Sequence, residues 1–331
     1  MKKLRKILYW LLYLIAVLLA AATILSIFRN SEIRYLKMLD FPRIQLFVFS
    51  FISLLVLVLI TKKWQWYTYL VSFALLCGLA INGAFIINYT TLVPVEVPTA
   101  TDLKAADVQF SLLVSNVKMS NKNAQPLIDL IAEKKPDLVL AMEVNEWWDE
   151  ELSVINKEYP YSQHTINEVT YGMVLYSKLP LNNVEVAYLN NKNVPSFECV
   201  VTLSNGKDIN FHCMHPVPPT HFEDLPDNKG QKETALQKLG KIVNDSKIPS
   251  VVAGDLNDVV WSYVNDLTNT QNILYDLRVG RGFYNTYNAE NLLMKWPLDH
   301  VFVTKEFRLK KLERLPKIGS DHYPIYVELV L

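Results

Sequence analysis

The chain has 331 residues, and its 33 basic and 33 acidic side chains give a formal charge of zero at neutral pH. These charges are unevenly distributed: residues 1–94 hold ten Lys or Arg and two acids, which leaves a net charge of −8 for the 237 residues that follow. An acidic domain repels polyanions, so the composition disfavours a general duplex-binding protein. The three cysteines form neither an even disulfide framework nor a ligand-spaced pair, which disfavours a disulfide scaffold and a zinc site.

Residues 1–94 have the composition of a membrane anchor. Three uncharged, apolar segments lie at about 7–28, 44–61 and 66–89, and each is long enough to cross ~30 Å of hydrocarbon as a helix. The first segment is longer than the apolar region of a signal peptide, and two more follow it directly. The sequence therefore predicts three transmembrane helices.

Basic residues around these segments predict their orientation. Four precede the first segment and two, Lys62 and Lys63, separate the second from the third, against four in the 29–43 loop. Because loops rich in Lys and Arg stay cytoplasmic, this six-to-four bias places the N-terminus inside. We expect an integral protein of the cytoplasmic (inner) membrane whose C-terminal domain is extracytoplasmic.

A short linker and one large domain follow the anchor. Pro98 and a Thr-Ala-Thr stretch predict a linker over residues 95–106, and residues 107–331 are long enough for one α/β domain. The domain opens with a strand, then a helix capped by Asn121 or Asn123, then a second strand.

The middle of the domain predicts antiparallel strands with turn residues between them. A polar, proline-rich loop over 216–229 is long enough to have a function of its own. A helix from Gln231 to about Asn244 then leads to an apolar strand that begins at Val251.

Polar side chains stand at the ends of several apolar runs in this domain. One such end has an ordinary explanation, because Asp and Asn often close a strand with a local turn. Here the pattern recurs, and strand ends are where α/β folds gather their chemistry. The residues concerned are Asn116, Glu143, His215, Asp255, Asn257, Asp299, Asp321 and His322.

These residue types favour phosphoester hydrolysis over acyl or glycosyl transfer. Carboxylate and amide oxygens suit a hard divalent cation such as Mg²⁺. His322 is a candidate base with Asp299 as the residue that orients it, and His215 is a candidate donor to a negatively charged oxygen. The candidate oxygen ligands are Asn116, Glu143, Asp255, Asn257 and Asp321.

The residues in these motifs and their order along the chain resemble those of the endonuclease/exonuclease/phosphatase superfamily, which has a deoxyribonuclease-I-like fold. The resemblance spans residues 107–331, and all the motifs together in this order are a strong signal. The matching pieces are Ser115-Asn116-Val117, Glu143-Val144, Gly172 with its following strand, His215-Pro216, Gly254-Asp255-Leu256-Asn257, Leu298-Asp299-His300 and Ser320-Asp321-His322-Tyr323-Pro324.

The resemblance implies a fold and a metal site. The fold is an α/β, four-layered sandwich of two mainly antiparallel sheets, with the site at one end. Glu143 is then the principal metal ligand, with Asn116 and Asp321 nearby, and the cofactor is Mg²⁺ or Mn²⁺.

The same resemblance implies the catalytic residues. His322 and Asp299 match the pair that activates water, and His215 matches a phosphate-contacting histidine. Asp255 and Asn257 match the residues that position the water and hold the phosphate. Asn257 and His215, with Tyr171, are expected to bind substrate.

Three N-terminal spans followed by this domain resemble a bacterial membrane-anchored subgroup of the superfamily. The expected function is a membrane-anchored, metal-dependent phosphoesterase that hydrolyses phosphodiesters or phosphomonoesters. Two alternatives stay open: a nuclease acting on DNA or RNA, and a non-catalytic membrane module that retains the fold. The expected partners are the lipid bilayer and a phosphoester carried by a lipid, a small molecule or a nucleic acid, and no segment predicts a protein partner.

Overall fold

The computed structural model describes residues 2–30, 33–189, 192–218, 234–261 and 264–331. The chain forms two compact units, Met1–Asn88 and Tyr89–Leu331. The first unit contains the apolar segments, and the second contains the acidic part of the chain.

The first unit is helical. It consists of α1 (Lys2–Ser26), the short α2 (Arg34–Met38), α3 (Arg43–Ile60) and α4 (Trp66–Ile86). Among the described residues, three helical segments are long and apolar enough to cross a membrane: Lys6–Arg29, Arg43–Ile60 and Trp66–Tyr89. They coincide with the three apolar segments of the sequence, so the prediction of three apolar helices is confirmed.

A buried ionic cluster joins the long helices of this unit. Arg43, the first residue of α3, pairs with Asp40, whose other carboxylate oxygen lies 3.1 Å from Arg29 Nε. Arg43 Nη1 also lies 3.3 Å from Ser26 Oγ and 3.4 Å from Asn82 Oδ1. Charges can be buried among apolar helices only when they are paired and hydrogen-bonded, and this cluster meets that condition.

The second unit contains two mixed six-stranded sheets in the described part of the chain. The first sheet has the order β11-β12-β1-β2-β4-β3 and the second the order β5-β6-β7-β8-β10-β9. In each sheet the central pair, β1 with β2 and β7 with β8, is parallel, and the other pairs are antiparallel. The strands are β1 (Gln109–Asn116), β2 (Leu138–Met142), β3 (Tyr161–Thr165), β4 (Met173–Ser177), β5 (Leu181–Ala187), β6 (Ser196–Thr202), β7 (Asp208–Met214), β8 (Ser250–Asp255), β9 (Tyr275–Asp276), β10 (Asp299–Val303), β11 (Arg308–Arg314) and β12 (Ile325–Val330).

Helices cover the outer faces of both sheets. They are α5 (Gln125–Lys134) and α6 (Glu146–Leu152) on the first sheet, and α7 (Thr234–Asp245) and α8 (Val264–Thr268) on the second. Each parallel pair is connected through a helix, α5 in the first sheet and α7 in the second, as a parallel connection requires.

Alternate side chains of each strand pack on opposite faces. Leu112 and Val114 belong to the core between the sheets, whereas Leu113 packs with the residues of α5 and α6. In the second sheet, Val251 joins the central core and Val252 packs with α7. Both faces of the central strands are therefore buried, which explains their continuous apolar runs. The predicted fold class, an α/β sandwich in four layers, is confirmed.

The strand ends meet at one edge of this sandwich. Asn116 closes β1 opposite Met142, the last residue of β2, and Glu143 follows directly. In the second sheet, the antiparallel register of β8 with β10 sets Asp255 opposite Asp299. Residues that are 44 positions apart in sequence thus become neighbours.

The segment that opens the second unit packs against it. Tyr89 is buried between Trp261 and Phe283, and its hydroxyl donates to Asp276 Oδ2 at 3.3 Å. Further on, Val97 belongs to the central core and Thr99 pairs with Leu309. The predicted linker, residues 95–106, therefore contains residues that pack on the domain.

Some local predictions differ from the structure. Ala124 precedes α5 without a side-chain cap, whereas Asn121 donates from Nδ2 to the carbonyls of Val117 and Ile318. The predicted capping by Asn121 or Asn123 was wrong, because Asn121 serves a tertiary contact instead. The helix predicted from Gln231 is described from Thr234 onward, and most of the predicted 216–229 loop, with Gln231, lies outside the described residues.

Candidate active site

Asp255 is the centre of the candidate site, and the backbone before it has to be glycine. Gly254 has φ +148°, and a Cβ built there would lie 1.9 Å from the carbonyl oxygen of Met214. Asp255 is fully buried; its Oδ1 accepts the Asn257 backbone N–H at 2.8 Å and its Oδ2 accepts Asn116 Nδ2 at 3.0 Å. Burial raises the pKa of Asp255, and the nearby charge of His322 opposes that shift.

His322 and Asp299 form a buried pair beside Asp255. His322 Nδ1 lies 2.7 Å from Asp299 Oδ2, and His322 Nε2 lies 3.6 Å from Asp255 Oδ2. Burial works to lower the pKa of His322, but the carboxylates of Asp299 and Asp255 raise it to about 10. The two neighbouring carboxylates therefore favour the protonated form of this imidazole.

Backbone hydrogen bonds hold this pair in place. Thr286 Oγ1 accepts the Asp299 N–H at 3.1 Å, and Ser320 Oγ accepts the His322 N–H at 3.0 Å. The Ser320 hydroxyl also donates to the carbonyl of Asn116 at 2.8 Å. Thr286 thus holds Asp299 at the start of β10 in the second sheet, and Ser320 holds His322 beside the end of β1 in the first sheet.

Glu143 leaves its strand in a strained conformation, with φ +62°. Its Oε1 accepts Asn116 Nδ2 at 2.9 Å and its Oε2 accepts the Met119 N–H at 3.2 Å. Burial raises the pKa of Glu143, and the hydrogen bonds from Asn116 and Met119 partly offset this. A desolvated carboxylate with an amide and a second carboxylate, Asp321, close by is a donor set that suits a hard divalent cation.

A second group of side chains has ligand-type atoms close enough together to hold a cation. Ligand-type atoms of Asp255, Asp299 and His322 lie within 4.8 Å of one another. In this group, His322 already uses Nδ1 for its short bond to Asp299. Close contact among Asp255, Asp299 and His322 is explained by hydrogen bonding and opposite charge alone.

The predicted substrate-binding residues lie on the other side of Asp255. His215 is buried, and its Nε2 lies 3.8 Å from Asp255 Oδ2. The Tyr171 ring packs against His215 with 5.2 Å between centroids. Asn257 adopts φ +53° and donates from Nδ2 to the Pro216 carbonyl at 3.0 Å. Burial lowers the pKa of His215, and the negative charge of Asp255 opposes this shift.

All nine residues predicted for the site therefore lie in one network in the structure. They are Asn116, Glu143, Tyr171, His215, Asp255, Asn257, Asp299, Asp321 and His322. Their chemical roles remain proposals.

Two further residues at the site were missed from the sequence. Lys118 Nζ lies 3.4 Å from Asp321 Oδ2, and the Tyr287 ring lies 4.9 Å from that of His322. Lys118 had a weak signal, since it follows Asn116 by two positions. Tyr287 had none, because it lies in an irregular stretch of sequence.

The tryptophans near site residues divide into two groups. Trp148 and Trp261 are fully buried and belong to the core. Trp147 and Trp296 are half-buried, and Trp296 stacks on Tyr287 with 6.0 Å between ring centroids.

Solved structures share this fold at low sequence identity. A humanized D. rerio TDP2 has a TM-score of 0.55 and 15% identity over 67% of this chain and 98% of its own. An endonuclease/exonuclease/phosphatase from Beutenbergia cavernae has a TM-score of 0.53 and 16% identity over 68% and 72%. ANGEL2, a 2′,3′-cyclic phosphatase crystallised with adenosine-2′,3′-vanadate, has a TM-score of 0.53 and 12% identity over 69% and 97%.

The comparison with curated proteins found no match to this chain. The model of the Endonuclease/Exonuclease/phosphatase family, by contrast, matches residues 113–322, which is more than half of the chain. Members of this family are phosphoester hydrolases that generally use divalent metals. Because the match runs from β1 to His322 and takes in both sheets of the sandwich, this chain belongs to the endonuclease/exonuclease/phosphatase family.

Proposed function

We propose that this protein is a membrane-anchored, divalent-metal-dependent phosphoesterase that hydrolyses phosphodiester or phosphomonoester bonds. The observation that carries the proposal is the position of the Asp255 carboxylate, which lies between two imidazoles at 3.6 and 3.8 Å. One of these imidazoles, His322, is in turn hydrogen-bonded to Asp299. This arrangement provides a proton acceptor, Asp255, with an imidazole donor on each of two neighbouring residues.

In the proposed reaction, Asp255, His322 and Asp299 act as one unit toward the attacking water. Asp299 fixes Nδ1 of His322, so Nε2 is the ring nitrogen that faces Asp255. The proton that water loses is accepted within this unit, while Asn257 holds the phosphoryl group. His215 donates to a phosphoryl oxygen, and Tyr171 supports its ring.

Glu143 and Asp321, with Asn116 beside them, would hold the metal. Asn116 is oriented so that its NH₂ group faces Glu143 and Asp255, while its Oδ1 accepts the Lys118 N–H at 2.9 Å. It therefore ties the metal-binding carboxylate to the carboxylate that orients water. A divalent cation bound there would offset the negative charge that develops on the phosphoryl group.

We also propose that the catalytic domain lies outside the cytoplasm, on the outer side of the cytoplasmic (inner) membrane. Three apolar helices support the anchor. The excess of basic residues before α1 and between α3 and α4 supports the orientation.

The test is a substrate panel given to the full-length protein in detergent, with Mg²⁺ or with a chelator. The panel contains bis-p-nitrophenyl phosphate, p-nitrophenyl phosphate, phosphatidylglycerol and single-stranded DNA. DNA is included because D. rerio TDP2 has been crystallised with a single-stranded DNA product. We expect Mg²⁺-dependent cleavage of a phosphodiester or phosphomonoester that is lost in Asp255→Asn.

Cleavage of DNA alone would favour the nuclease alternative. Absence of any Mg²⁺-dependent cleavage would contradict the enzyme and leave the membrane module with a retained fold.

A further inference from the structure

An exposed apolar loop lies beside the candidate active site. In the loop formed by residues 288–295, the side chains of Leu292, Leu293 and Met294 are 91%, 72% and 43% exposed. Elsewhere among the described residues of the second unit, exposed large hydrophobic residues occur singly along the sequence. Single exposed residues need no explanation, whereas three adjacent ones mark an interaction surface.

Hydrogen bonds fix the shape of the 288–295 loop. Asn291 Oδ1 accepts the N–H groups of Leu293 and Met294, each at 2.9 Å. Asn288 Oδ1 accepts the Glu290 N–H at 2.7 Å, and the Asn288 N–H donates to the Met294 carbonyl at 3.3 Å. An ordered loop therefore presents the apolar side chains outward.

The base of the loop is attached to the catalytic residues. The Ala289 N–H donates to the carbonyl of Asp321 at 2.7 Å, and Tyr287 packs on His322. Tyr287 also stacks on Trp296 at the other end of the loop. Whatever surface the loop contacts therefore lies next to the site.

The base of this loop also lies near Tyr89, the residue at which the second unit begins. Helix α4 ends at Ile86, and Tyr89 is the first residue of the second unit. Tyr89 stacks on Phe283 with 5.8 Å between centroids, and Phe283 precedes Tyr287 by only four residues. Four residues span at most about 14 Å, so the base of the loop lies close to the point where the chain arrives.

A lipid bilayer is the partner that fits these observations. The chain carries three helices able to cross a membrane, and it reaches the domain directly from the third. Lys295 and Trp296, which follow the apolar tip, are residue types that sit at the membrane–water interface. A leucine pair and a methionine supply the apolar side chains that enter the acyl region.

We propose that the 288–295 loop inserts Leu292, Leu293 and Met294 into the bilayer that holds the anchor, and that it brings the active site against phosphoesters carried by lipids. The first half of this proposal concerns docking and is independent of catalysis. The second half names a substrate class and rests on the proposed function.

Fluorescence quenching tests the docking. The background is the full-length protein with Cys77→Ala. One cysteine is added to it, by Leu293→Cys in one variant and by Val154→Cys in the other, and is labelled with a nitrobenzoxadiazole dye. Cys199 and Cys213 are buried, and Val154 is a matched control with 64% exposure in the same unit. In phosphatidylcholine vesicles containing acyl-chain-brominated phosphatidylcholine, we expect quenching at position 293 and none at 154. Absence of quenching at both positions would overturn insertion and point to a protein as the partner.

Activity tests the substrate class. Leu292→Asp combined with Leu293→Asp is compared with Val154→Asp, using phosphatidylglycerol in phosphatidylcholine vesicles and soluble bis-p-nitrophenyl phosphate. We expect the double substitution to lower the ratio of vesicle to soluble turnover by about tenfold, since it removes two leucines from the bilayer. The control variant should leave this ratio unchanged.

The two measurements separate the possible failures. If the dye at position 293 is quenched but neither substrate is hydrolysed, docking is supported and the proposed function is overturned. Soluble turnover with no cleavage of the lipid, or an unchanged ratio in the double variant, would overturn the lipid-borne substrate.

Discussion

At the scale of single residues, Glu143 has an unfavourable environment without a cation. Its raised pKa means that the ionised carboxylate is disfavoured by burial in the folded protein, so removing its charge relieves a cost of folding. We predict that Glu143→Gln abolishes Mg²⁺-dependent hydrolysis while the melting temperature in chelator stays the same or rises. The exposed Glu146→Gln is the control, with activity and melting temperature unchanged. Near-normal turnover of Glu143→Gln at saturating Mg²⁺ would remove Glu143 from the site.

His322 and Asp299 are predicted to act as a unit. Their hydrogen bond is 2.7 Å long and fully buried, so either substitution disables the same function. We expect His322→Ala and Asp299→Asn each to lower turnover by orders of magnitude, and the double variant to be little worse than His322→Ala alone. Steady-state kinetics of the four proteins measure the coupling.

A second pair provides the control for this cycle. His164 Nδ1 lies 2.5 Å from Asp149 Oδ1 outside the network of site residues, so His164→Ala and Asp149→Asn should leave turnover near normal. If the losses at His322 and Asp299 multiply independently, Asp299 does something other than orient His322.

Lys118 places a cation where the metal-binding carboxylates gather. Its Nζ lies 3.4 Å from Asp321 Oδ2, and the charges of Asp321, Glu290 and Glu143 raise its pKa against the effect of burial. We predict that Lys118→Ala tightens Mg²⁺ binding by roughly three- to tenfold, because it removes a competing positive charge. Calorimetric titration with Mg²⁺ in the absence of substrate measures this.

Lys122→Ala is the matched control, since Lys122 lies over the Trp147 ring and not among these carboxylates. Equal Mg²⁺ affinity in wild type and Lys118→Ala would show that Lys118 does not compete with the cation.

At the scale of elements, the ends of the buried strands determine where the site residues lie. Gly254 precedes Asp255 with φ +148° and leaves no room for a Cβ, whereas Gly206, with φ +82°, has open space around it. We predict that Gly254→Ala destabilises the protein by on the order of 3 kcal/mol, and that Gly206→Ala costs about 1 kcal/mol from its backbone conformation alone. Chemical denaturation of the full-length variants compares the two. A Gly254→Ala variant as stable as Gly206→Ala would mean that β7 moves aside without cost.

The sequence predicted the parts of the fold that hydrophobic runs encode. Strands β1, β2 and β8 are covered on both faces, so each is a continuous apolar run, and the polar residues that end them mark the site. The exposed strand β3 has no such signal, because Tyr161 and Ser162 face solvent. The same holds for β9, which has only two residues.

Contacts between distant segments could not be predicted from local pattern. Asp299 meets Asp255 through an antiparallel register, and nothing in either segment encodes the other. The resemblance to a family placed both residues in one site, and the structure supplied their pairing across β8 and β10. Tyr287 lies in an irregular stretch of sequence. Its backbone is hydrogen-bonded to that of Trp296 and forms a bridge with His322, so its position beside the site emerged only from the structure.

At the scale of the whole molecule, the uneven charge of the sequence corresponds to two structural units. The helical unit contains the basic excess, and the acidic residues are concentrated in the sandwich. Tyr89 is held by Trp261, Phe283 and Asp276 as soon as the chain enters the second unit. The residue that follows the helical unit in sequence is therefore already packed into the sandwich.

The orientation of the anchor gives the last prediction. Six basic residues flank the sides predicted to be cytoplasmic and four lie in the 29–43 loop, where Arg29 and Arg43 both pair with Asp40. We expect alkaline phosphatase fused after Leu331 to be active and green fluorescent protein fused there to be dark after export through the general secretory route. Changing Lys62 and Lys63 to Gln leaves four basic residues on each side, so this variant should divide between the two orientations. Fluorescent, phosphatase-negative fusions of the unaltered chain would contradict either the charge-based orientation or the count of three spans.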